Sequence, residues 1–385
     1  MYKKVIITCT SLIIILSLVF FYFFNGTSNE NIVELDTIDS SFLDDQVAVT
    51  YYSTTIDSDQ GKGFIIFIDH QGDTVTAETE GLELGRLGYN GKNLFFQDQT
   101  KNYTVTNALN TEDRNDYQHT GDYVGTLSDD TFFSIFNSGM GIDGDTYQSD
   151  IYWYSHEDFK KDVLPFYIES RGHDEHLIYT LHREDLDDNE FILSQTELTD
   201  QANIKQLMTW EPDQEVLPIS NLHVNDDSLY YIGESYEPNG VFFQLIEWNL
   251  ATKSVNEYLV TEPMSNEEHY ESIPFDSQKS AHFYNDMFYF IDGLGCIYTI
   301  DIKTGQTTER FVIDDTARHG DFVQIEWKED HLYVFYNYSD DRLPSGLDTY
   351  HIETGETIDS LEINGMEEIV GKNKGLFSYD LIILD

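Results

Sequence analysis

Carboxylates are the most numerous reactive side chains in this sequence. Its 385 residues include 71 Asp and Glu against 21 Lys and Arg, which gives a formal charge of −50. Two segments combine several carboxylates with a turn-forming residue, as calcium-binding loops do. They contain, in turn, Asp143, Gly144, Asp145 and Asp150, and Asp185, Asp187, Asp188 and Asn189.

The second acidic segment departs from the pattern of a calcium loop. It has Glu190 where the loop needs Gly, and Thr196 where the loop needs a bidentate Glu. Turns also favour Asp when no ion is bound. We therefore interpret both segments as solvated hairpin tips and identify no cofactor from them. Ca²⁺ is the one cofactor that so acidic a chain favours, with its ligands unassigned.

Three histidines lie close together in the sequence, at His173, His176 and His182. Imidazole is a common zinc ligand, so the H-x-x-H spacing of the first two suggests a metal site. The same segment also carries a turn-and-strand phrase that recurs along the chain, which places His173 in a turn and His182 on a strand. We therefore interpret the histidines as structural and leave the metal ligands of this chain unknown.

Motifs of nucleophilic and phosphate-binding enzymes are missing from the sequence. It contains no G-x-S-x-G, H-E-x-x-H, P-loop or C-x-x-C-H motif. The carboxylate pair of a glycosidase cannot be picked out, because some pair among 71 acids always lies at a suitable distance. We therefore name no catalytic and no cofactor-binding residue, and the sequence favours a protein that is not an enzyme.

A turn of Asp, Asn or Gly followed by an apolar and aromatic strand recurs along the chain. The apolar residues that mark these strands are Val47, Leu94, Phe132, Leu177, Leu229, Met287, Leu332 and Leu376. Neighbouring marks are 38 to 58 residues apart, about 47 on average, a period typical of repeat architectures. The turns HQGD, KTGQ and ETGE indicate further hairpins, in which Gly supplies a positive φ.

Each repeat of about 47 residues is therefore predicted to form about four antiparallel strands. One such sheet cannot bury both of its faces, whereas sheets stacked around an axis can. The phrase YTIDIKTG, which starts at Tyr298, resembles the strand-turn signature of quinoprotein-like and YVTN-like bacterial propeller repeats. We predict an all-β protein, a β-propeller of seven or eight four-stranded blades, with two stacked β-domains as the alternative.

The number of blades depends on the last phrase. Eight phrases favour eight blades, but the eighth begins about ten residues before the C-terminus. Its blade would hold strands at 367–371 and 375–385 and would borrow a strand from about 31–42, because pairing the chain ends removes an exposed sheet edge. Seven blades result if the first and last phrases share one blade.

The N-terminus reads as a membrane anchor. Lys3 and Lys4 precede an uncharged stretch at 5–24, and 20 residues of helix cover a bilayer core of about 30 Å. We predict a cytoplasmic stub at 1–4, a transmembrane signal anchor at 5–24 and an extracytoplasmic propeller at 25–385, because lysines stay on the cytoplasmic side. A cleaved signal peptide is the alternative.

These features predict a single-pass protein of the bacterial cell membrane, most of it outside the cell. We expect a non-catalytic binding or scaffolding module for an envelope protein or a glycan. Nucleic acid is excluded by the charge. The alternative function is a cell-surface hydrolase or lyase acting on polysaccharide. Loop length points to a binding site at 211–214, 234–240 and 262–272, which begin at Glu211, Glu234 and Glu262.

Overall fold

The structure is a computed structural model. It describes residues 32–55, 61–128, 130–141, 147–155, 158–185, 189–238, 240–313, 322–337, 345–373 and 375–384. Within these ranges, 29 strands form seven antiparallel sheets. The sheets follow one another along the chain as the blades of a propeller, so the seven-bladed prediction is confirmed and the eight-bladed one is wrong.

The first four blades contain four strands each. Blade 1 contains β1 (Gln46–Thr54), β2 (Lys62–Asp69), β3 (Thr74–Glu80) and β29 (Leu376–Ile383). Blade 2 contains β4 (Leu87–Tyr89), β5 (Leu94–Gln97), β6 (Lys101–Val105) and β7 (Leu109–Asp113). Blade 3 contains β8 (Tyr123–Thr126), β9 (Phe132–Met140), β10 (Tyr147–Ser155) and β11 (Asp158–Leu164). Blade 4 contains β12 (Ser170–His173), β13 (Ile178–Arg183), β14 (Phe191–Leu198) and β15 (Ala202–Trp210).

The last three blades follow the same plan, except that two short strands share the innermost position of blade 5. Blade 5 contains β16 (Val216–Pro218), β17 (His223–Asn225), β18 (Ser228–Glu237), β19 (Gly240–Asn249) and β20 (Ser254–Leu259). Blade 6 contains β21 (Ala281–Tyr284), β22 (Met287–Ile291), β23 (Cys296–Asp301) and β24 (Gln306–Val312). Blade 7 contains β25 (Phe322–Lys328), β26 (His331–Asn337), β27 (Ser345–His351) and β28 (Thr357–Ile363).

The last strand of the chain closes the ring. β29 pairs with β1, so that Ala48 lies opposite Ile383 and Thr54 opposite Leu376. The first and last phrases therefore share one blade, which confirms the seven-bladed alternative: the C-terminal strand is the innermost strand of blade 1. The closure predicted for eight blades, with a strand borrowed from about 31–42, is wrong, and the described residues form no eighth sheet. The strand predicted at 367–371 is also wrong, because most of it lies in the short helix Met366–Ile369.

Alternating turns give the propeller two different faces. Because neighbouring strands are antiparallel, the connections between blades and the turns between second and third strands lie on one face. We call this the upper face. The other two sets of hairpin turns lie on the opposite, lower face. The predicted Gly turns are confirmed there, with positive φ at Gly72, Gly305 and Gly355.

Apolar and aromatic side chains fill the spaces between blades. The cluster between blades 4 and 5 joins Leu193, Tyr231 and Trp248, all of them inaccessible to solvent. A similar cluster joins blades 6 and 7 through Ile297 and Leu332. Each of these strands buries both faces, because each sheet is covered by a blade on either side.

The described N-terminal segment packs against blades 1 and 2. Ile32 pairs with Thr76 in the lower half of blade 1, and the backbone N–H of Ser40 donates to Thr106 O in a lower turn of blade 2. This segment contains a 3₁₀ turn, Leu35–Thr37, and the helix Ser40–Leu43. The predicted anchor at 5–24 lies outside the described residues, and none of the helices among those that are described has the length and apolarity to cross a membrane.

Candidate functional site

The two faces differ in the apolar side chains that they expose. Among the described residues, 15 large apolar side chains are exposed, and nine of them lie in upper-face connections or at the upper ends of inner strands. These nine are Leu84, Tyr117, Met140, Tyr147, Tyr236, Tyr270, Ile273, Phe275 and Phe377. The other six lie on or beside the outermost strands of blades, where strand ends adjoin a hairpin turn of the next blade; they are Ile32, Val163, Ile204, Leu259, Val312 and Ile358. Single exposed apolar residues are ordinary, but their concentration on one face is a feature of binding surfaces.

The most prominent part of the upper face is the crossing from blade 5 to blade 6. We call residues 260–280 the upper-face segment. It contains the helix Asn266–Ser272, which begins with a capping box in which Ser265 and Glu268 satisfy each other's backbone N–H groups. His269 and Ser272 are buried beneath the helix, whereas Tyr270 is 79% exposed. Farther along, Ile273 and Phe275 are 41% and 61% exposed.

A buried polar contact fixes the upper-face segment to blade 5. Nε2 of His269 donates a hydrogen bond to Oε1 of Glu234, and the Tyr236 hydroxyl donates to Oε2 of the same carboxylate at 2.7 Å. Glu234 and His269 are both less than a tenth exposed. On the blade 6 side, the backbone N–H of Gly293 donates to Ser272 O at 2.7 Å. The aromatic side chains are therefore displayed from a backbone that is held at both ends.

The structure brings together the three segments in which loop length predicted a site. The backbone N–H of Tyr236 donates to Glu215 O at 3.2 Å, and Val241 pairs with Met264. The side chain of Asn189 donates to Pro212 O at 2.8 Å and ties the first segment to blade 4. Residues 211–214, 234–238, 240 and 262–272 thus form one continuous area at the upper end of blade 5.

A network of charged side chains spans the centre of the propeller. It consists of Arg86, Asp122, Arg171, Asp276, Lys279, Glu326 and Asp380, and we call it the channel network. These residues come from every blade except blade 5, or from the connections that lead into the blades. The side chain of Gln278 also crosses the centre and donates to Asp122 O at 3.1 Å.

Lys279 is the best-connected cation of this network. Its ammonium lies 2.6 Å from Oδ1 of Asp380, and it also contacts the Glu326 carboxylate and Leu381 O. Burial alone would lower the pKa of Lys279, but Asp380 and Glu326 outweigh burial and raise it. Lys279 is therefore charged at all ordinary pH values and holds blades 1, 6 and 7 together.

Several carboxyl groups of the network are deeply buried. Burial raises the pKa of Asp122, Asp276 and Glu326, and the neighbouring cations oppose this rise only in part. The hydrolase hypothesis requires carboxyl groups of raised pKa in a pocket. Asp122 and Asp276 meet the pKa condition, yet each is less than a tenth exposed and lies near an arginine. Their geometry fits an internal ionic seal better than a pair of groups that flank a sugar.

The predicted histidines do not form a common site. Nδ1 of His173 is 2.8 Å from the Tyr123 hydroxyl, and Nδ1 of His176 is 3.1 Å from Ser128 Oγ in an exposed lower turn. His182 stacks on the Phe166 ring at 3.7 Å, near the upper end of β13. In the part of the chain that the structure describes, no three His, Cys, Asp or Glu side chains form a group that could hold a metal.

The acidic segments give a divided result. Asp143, Gly144 and Asp145 lie outside the described residues, as do Asp187 and Asp188. Asp150 is buried, and its Oδ2 accepts from Gln118 at 2.9 Å and from Lys161 at 3.1 Å. Asn189 supports the neighbouring loop, as described above. Calcium binding stays a prediction.

Known proteins place the chain in a family. A family profile described as the YycP β-propeller domain matches residues 41–384. Uncharacterized protein YycP of Bacillus subtilis (strain 168) is 30% identical over 390 residues, which cover 99% of each chain. The chain belongs to the YycP β-propeller family.

Two solved structures are also similar. A quinonprotein alcohol dehydrogenase-like protein from Bacteroides thetaiotaomicron VPI-5482 has a TM-score of 0.46 and 10% identity, over 94% of this chain and 98% of its own. BamB from Moraxella catarrhalis has a TM-score of 0.44 and 11% identity, over 82% and 83%. The predicted resemblance to bacterial propeller repeats is confirmed, as membership of the YycP family.

Sequence reasoning missed the channel network of this YycP family member. Its charges are spread along the chain, and they lie in innermost strands or in the connections that lead into them. One signal was available, because a lone charge such as Asp380 in the strand LFSYDLII requires a buried partner. The partners could not be named, since they depend on the order of the blades.

Proposed function

We propose that this chain is a non-catalytic binding or scaffolding module that holds a protein partner on its upper face. The proposal rests on the exposed apolar side chains, nine of 15 of which lie on that side among the described residues. Protein interfaces are enriched in Tyr, Phe and Met at their centres, and this surface exposes residues of all three types. Water-exposed aromatic groups are costly, and a partner that covers them removes that cost.

The fixed backbone of the upper-face segment favours the same function. Glu234 and the Gly293 amide hold it on two blades, so Tyr270 and Phe275 are displayed without a large loss of freedom on binding. The three segments predicted from loop length lie at the same end of blade 5. A recognition surface made from connections on a rigid scaffold is the usual arrangement for binding proteins.

We further propose that residues 5–24 anchor the protein in the cell membrane, with the propeller outside. The described chain enters the propeller at Ile32, beside the outermost strand of blade 1. In this arrangement proteins of the cell envelope can reach the upper face from outside the cell. Protease added to intact protoplasts should digest the propeller and leave a membrane-bound fragment. A propeller that is protected until lysis would contradict this placement.

Site-specific photo-crosslinking in the source organism tests the binding function. A photoreactive phenylalanine analogue replaces Tyr270 or Phe275 in the full chain, one position at a time. The matched controls carry the analogue at Ile204 or Ile358, which are exposed in the lower half. We expect the same protein to be crosslinked from both upper positions and from neither control. Equal labelling at all four positions, or no protein adduct at the upper pair, would contradict the proposal.

A further inference from the structure

A pocket opens between blades 6 and 7 beside the end of the upper-face segment. Its volume is about 40 Å³, which is room for roughly three water molecules or a few atoms of a side chain. Ile291, Ile313, Ile325 and Val334 form apolar walls, and the exposed ring of Phe275 stands next to them. The pocket therefore continues the exposed aromatic surface inward.

Asp276 places a carboxylate at this apolar pocket. Its Oδ1 accepts from the backbone N–H of Lys279 at 3.4 Å and lies 3.7 Å from Arg86 Nη1. Its Oδ2 has no hydrogen-bond partner among the described residues, and the residue is only 6% exposed. A buried carboxylate oxygen without a donor costs free energy, so a donor that reached this atom from the pocket would stabilise it.

The charge balance around Asp276 points to a cationic donor. Arg86 and Lys279 face three carboxylates, those of Asp276, Glu326 and Asp380. Within the described residues this part of the network therefore has one carboxyl group more than it has cations, and burial favours a proton on one of them. Buried charges are stable when they are paired, and one additional positive charge would complete the pairing.

We infer that the pocket receives the end of a lysine side chain from the protein partner, an inference that rests on the proposed function. The methylene groups of lysine fit the apolar walls, and its ammonium is a compact donor for Oδ2 of Asp276. Arginine fits less well, because its planar fork uses two acceptor oxygens and Oδ1 is already occupied. The surroundings favour a cation as well, since Glu262, Glu267, Glu268 and Glu271 are exposed on the same segment.

The experiment uses n-butylammonium as a probe for the end of lysine, with n-butanol as its uncharged equivalent. Binding to the full chain in nanodiscs of zwitterionic lipid is measured by saturation-transfer NMR, and empty nanodiscs correct for uptake by lipid. A charge-assisted hydrogen bond predicts that n-butylammonium binds about tenfold more tightly than n-butanol. Equal affinities of the two probes would overturn the inference.

Two variants locate the binding, and a third serves as a control. Asp276→Asn should remove the preference for the ammonium, and Val334→Leu, which fills the pocket but keeps the carboxylate, should weaken both probes. Asp122→Asn removes another buried carboxylate with a free oxygen that does not line the pocket, so it should leave the preference unchanged. If Asp276→Asn does not fold, Val334→Leu decides: unchanged binding in that variant overturns the inference.

The result is independent of the crosslinking experiment. If n-butylammonium binds at Asp276 and no protein is crosslinked at the upper face, the pocket is real and the protein partner is wrong. If a protein is crosslinked and the probe shows no preference, the binding function stands and the lysine pocket is wrong.

Discussion

The upper and lower faces are built from the same strands, yet they treat polar and apolar groups in opposite ways. On the upper face aromatic rings are exposed, while charges are buried beneath them in the channel network. The lower face exposes fewer large apolar residues among those that the structure describes, and charges such as Lys303 and Asp286 pair in solvent on its hairpin turns. Exposed aromatic residues reduce solubility, so their concentration on one face indicates that this face binds a partner.

The largest difference between the faces should appear when a lysine is neutralised. Lys279→Met leaves the carboxylates of Asp380 and Glu326 without their ammonium, and breaking a buried ion pair costs about 3–5 kcal/mol. Lys303→Met removes an exposed lower-face pair and should leave the urea midpoint unchanged. The free energies of unfolding from urea titration compare the two variants. Similar losses in both would show that the channel network is not a buried seal.

The next difference between the faces is the loss of stability at low pH that a buried histidine causes. Burial lowers the pKa of His182 to about 4 from 6.5, so the unfolded chain binds its proton first as the pH falls. The stability present above pH 6.5 is therefore lost as the pH falls towards 4, by about 3 kcal/mol at about 1.4 kcal/mol for each pKa unit.

Urea midpoints at pH 7.0 and pH 4.5 measure this effect. His182→Gln should reduce the difference between the two pH values, whereas His176→Gln, in an exposed lower turn, should leave it as in the wild type. If His182→Gln leaves the pH dependence unchanged, the pKa of His182 does not differ between the folded and the unfolded chain, and the prediction is wrong.

A smaller effect is expected where the upper-face segment is fixed to blade 5. His269→Ala removes the donor to the buried carboxylate of Glu234, which should cost about 1–3 kcal/mol. Hydrogen exchange should show faster exchange confined to the helix Asn266–Ser272. The matched lower-face variant is His331→Ala, which removes a half-exposed contact with Asp330 at 2.7 Å and should change little. Faster exchange across all of blade 5 would mean that this contact supports the blade itself.

The exposed aromatic residues should contribute least to stability. The double variant Tyr270→Ser/Phe275→Ser should keep the urea midpoint of the wild type and elute earlier from a hydrophobic interaction column. Ile204→Ser/Ile358→Ser is the matched lower-half pair, with side chains 37% and 51% exposed. A loss of stability in the first variant would show that its rings pack against the propeller and are not free to receive a partner.

The sequence predicted the blades well because one position in each blade has a strong local signature. Leu94, Phe132, Leu229, Met287 and Leu332 all lie at the start of a second strand, after a tight turn. Leu376 carries the same signature but starts an innermost strand. Both positions are buried on two faces and follow a turn, so local pattern cannot tell them apart, and this produced the incorrect eighth blade.

The candidate site could be predicted only in outline. Loop length predicted the segments at the upper end of blade 5, because long connections in a propeller lie on its surface. The lysine pocket needed the structure, since Asp276 and Val334 come from different blades and meet only when the ring is closed. The channel network could not be predicted for the same reason. Arg86 and Asp380 are 294 residues apart, and the local sequence around each residue does not indicate its partner.

The pairing of β29 with β1 also sets an order in time. Thr50 Oγ1 donates to Asp380 O across a separation of 330 residues, so almost the whole chain must be made before the ring can close. Until then β1 has an unpaired edge, and such edges recruit strands from other molecules. Contacts this distant form slowly. The strand Leu376–Ile383 therefore closes the propeller. A chain truncated before this strand should leave the edge of β1 exposed and should aggregate.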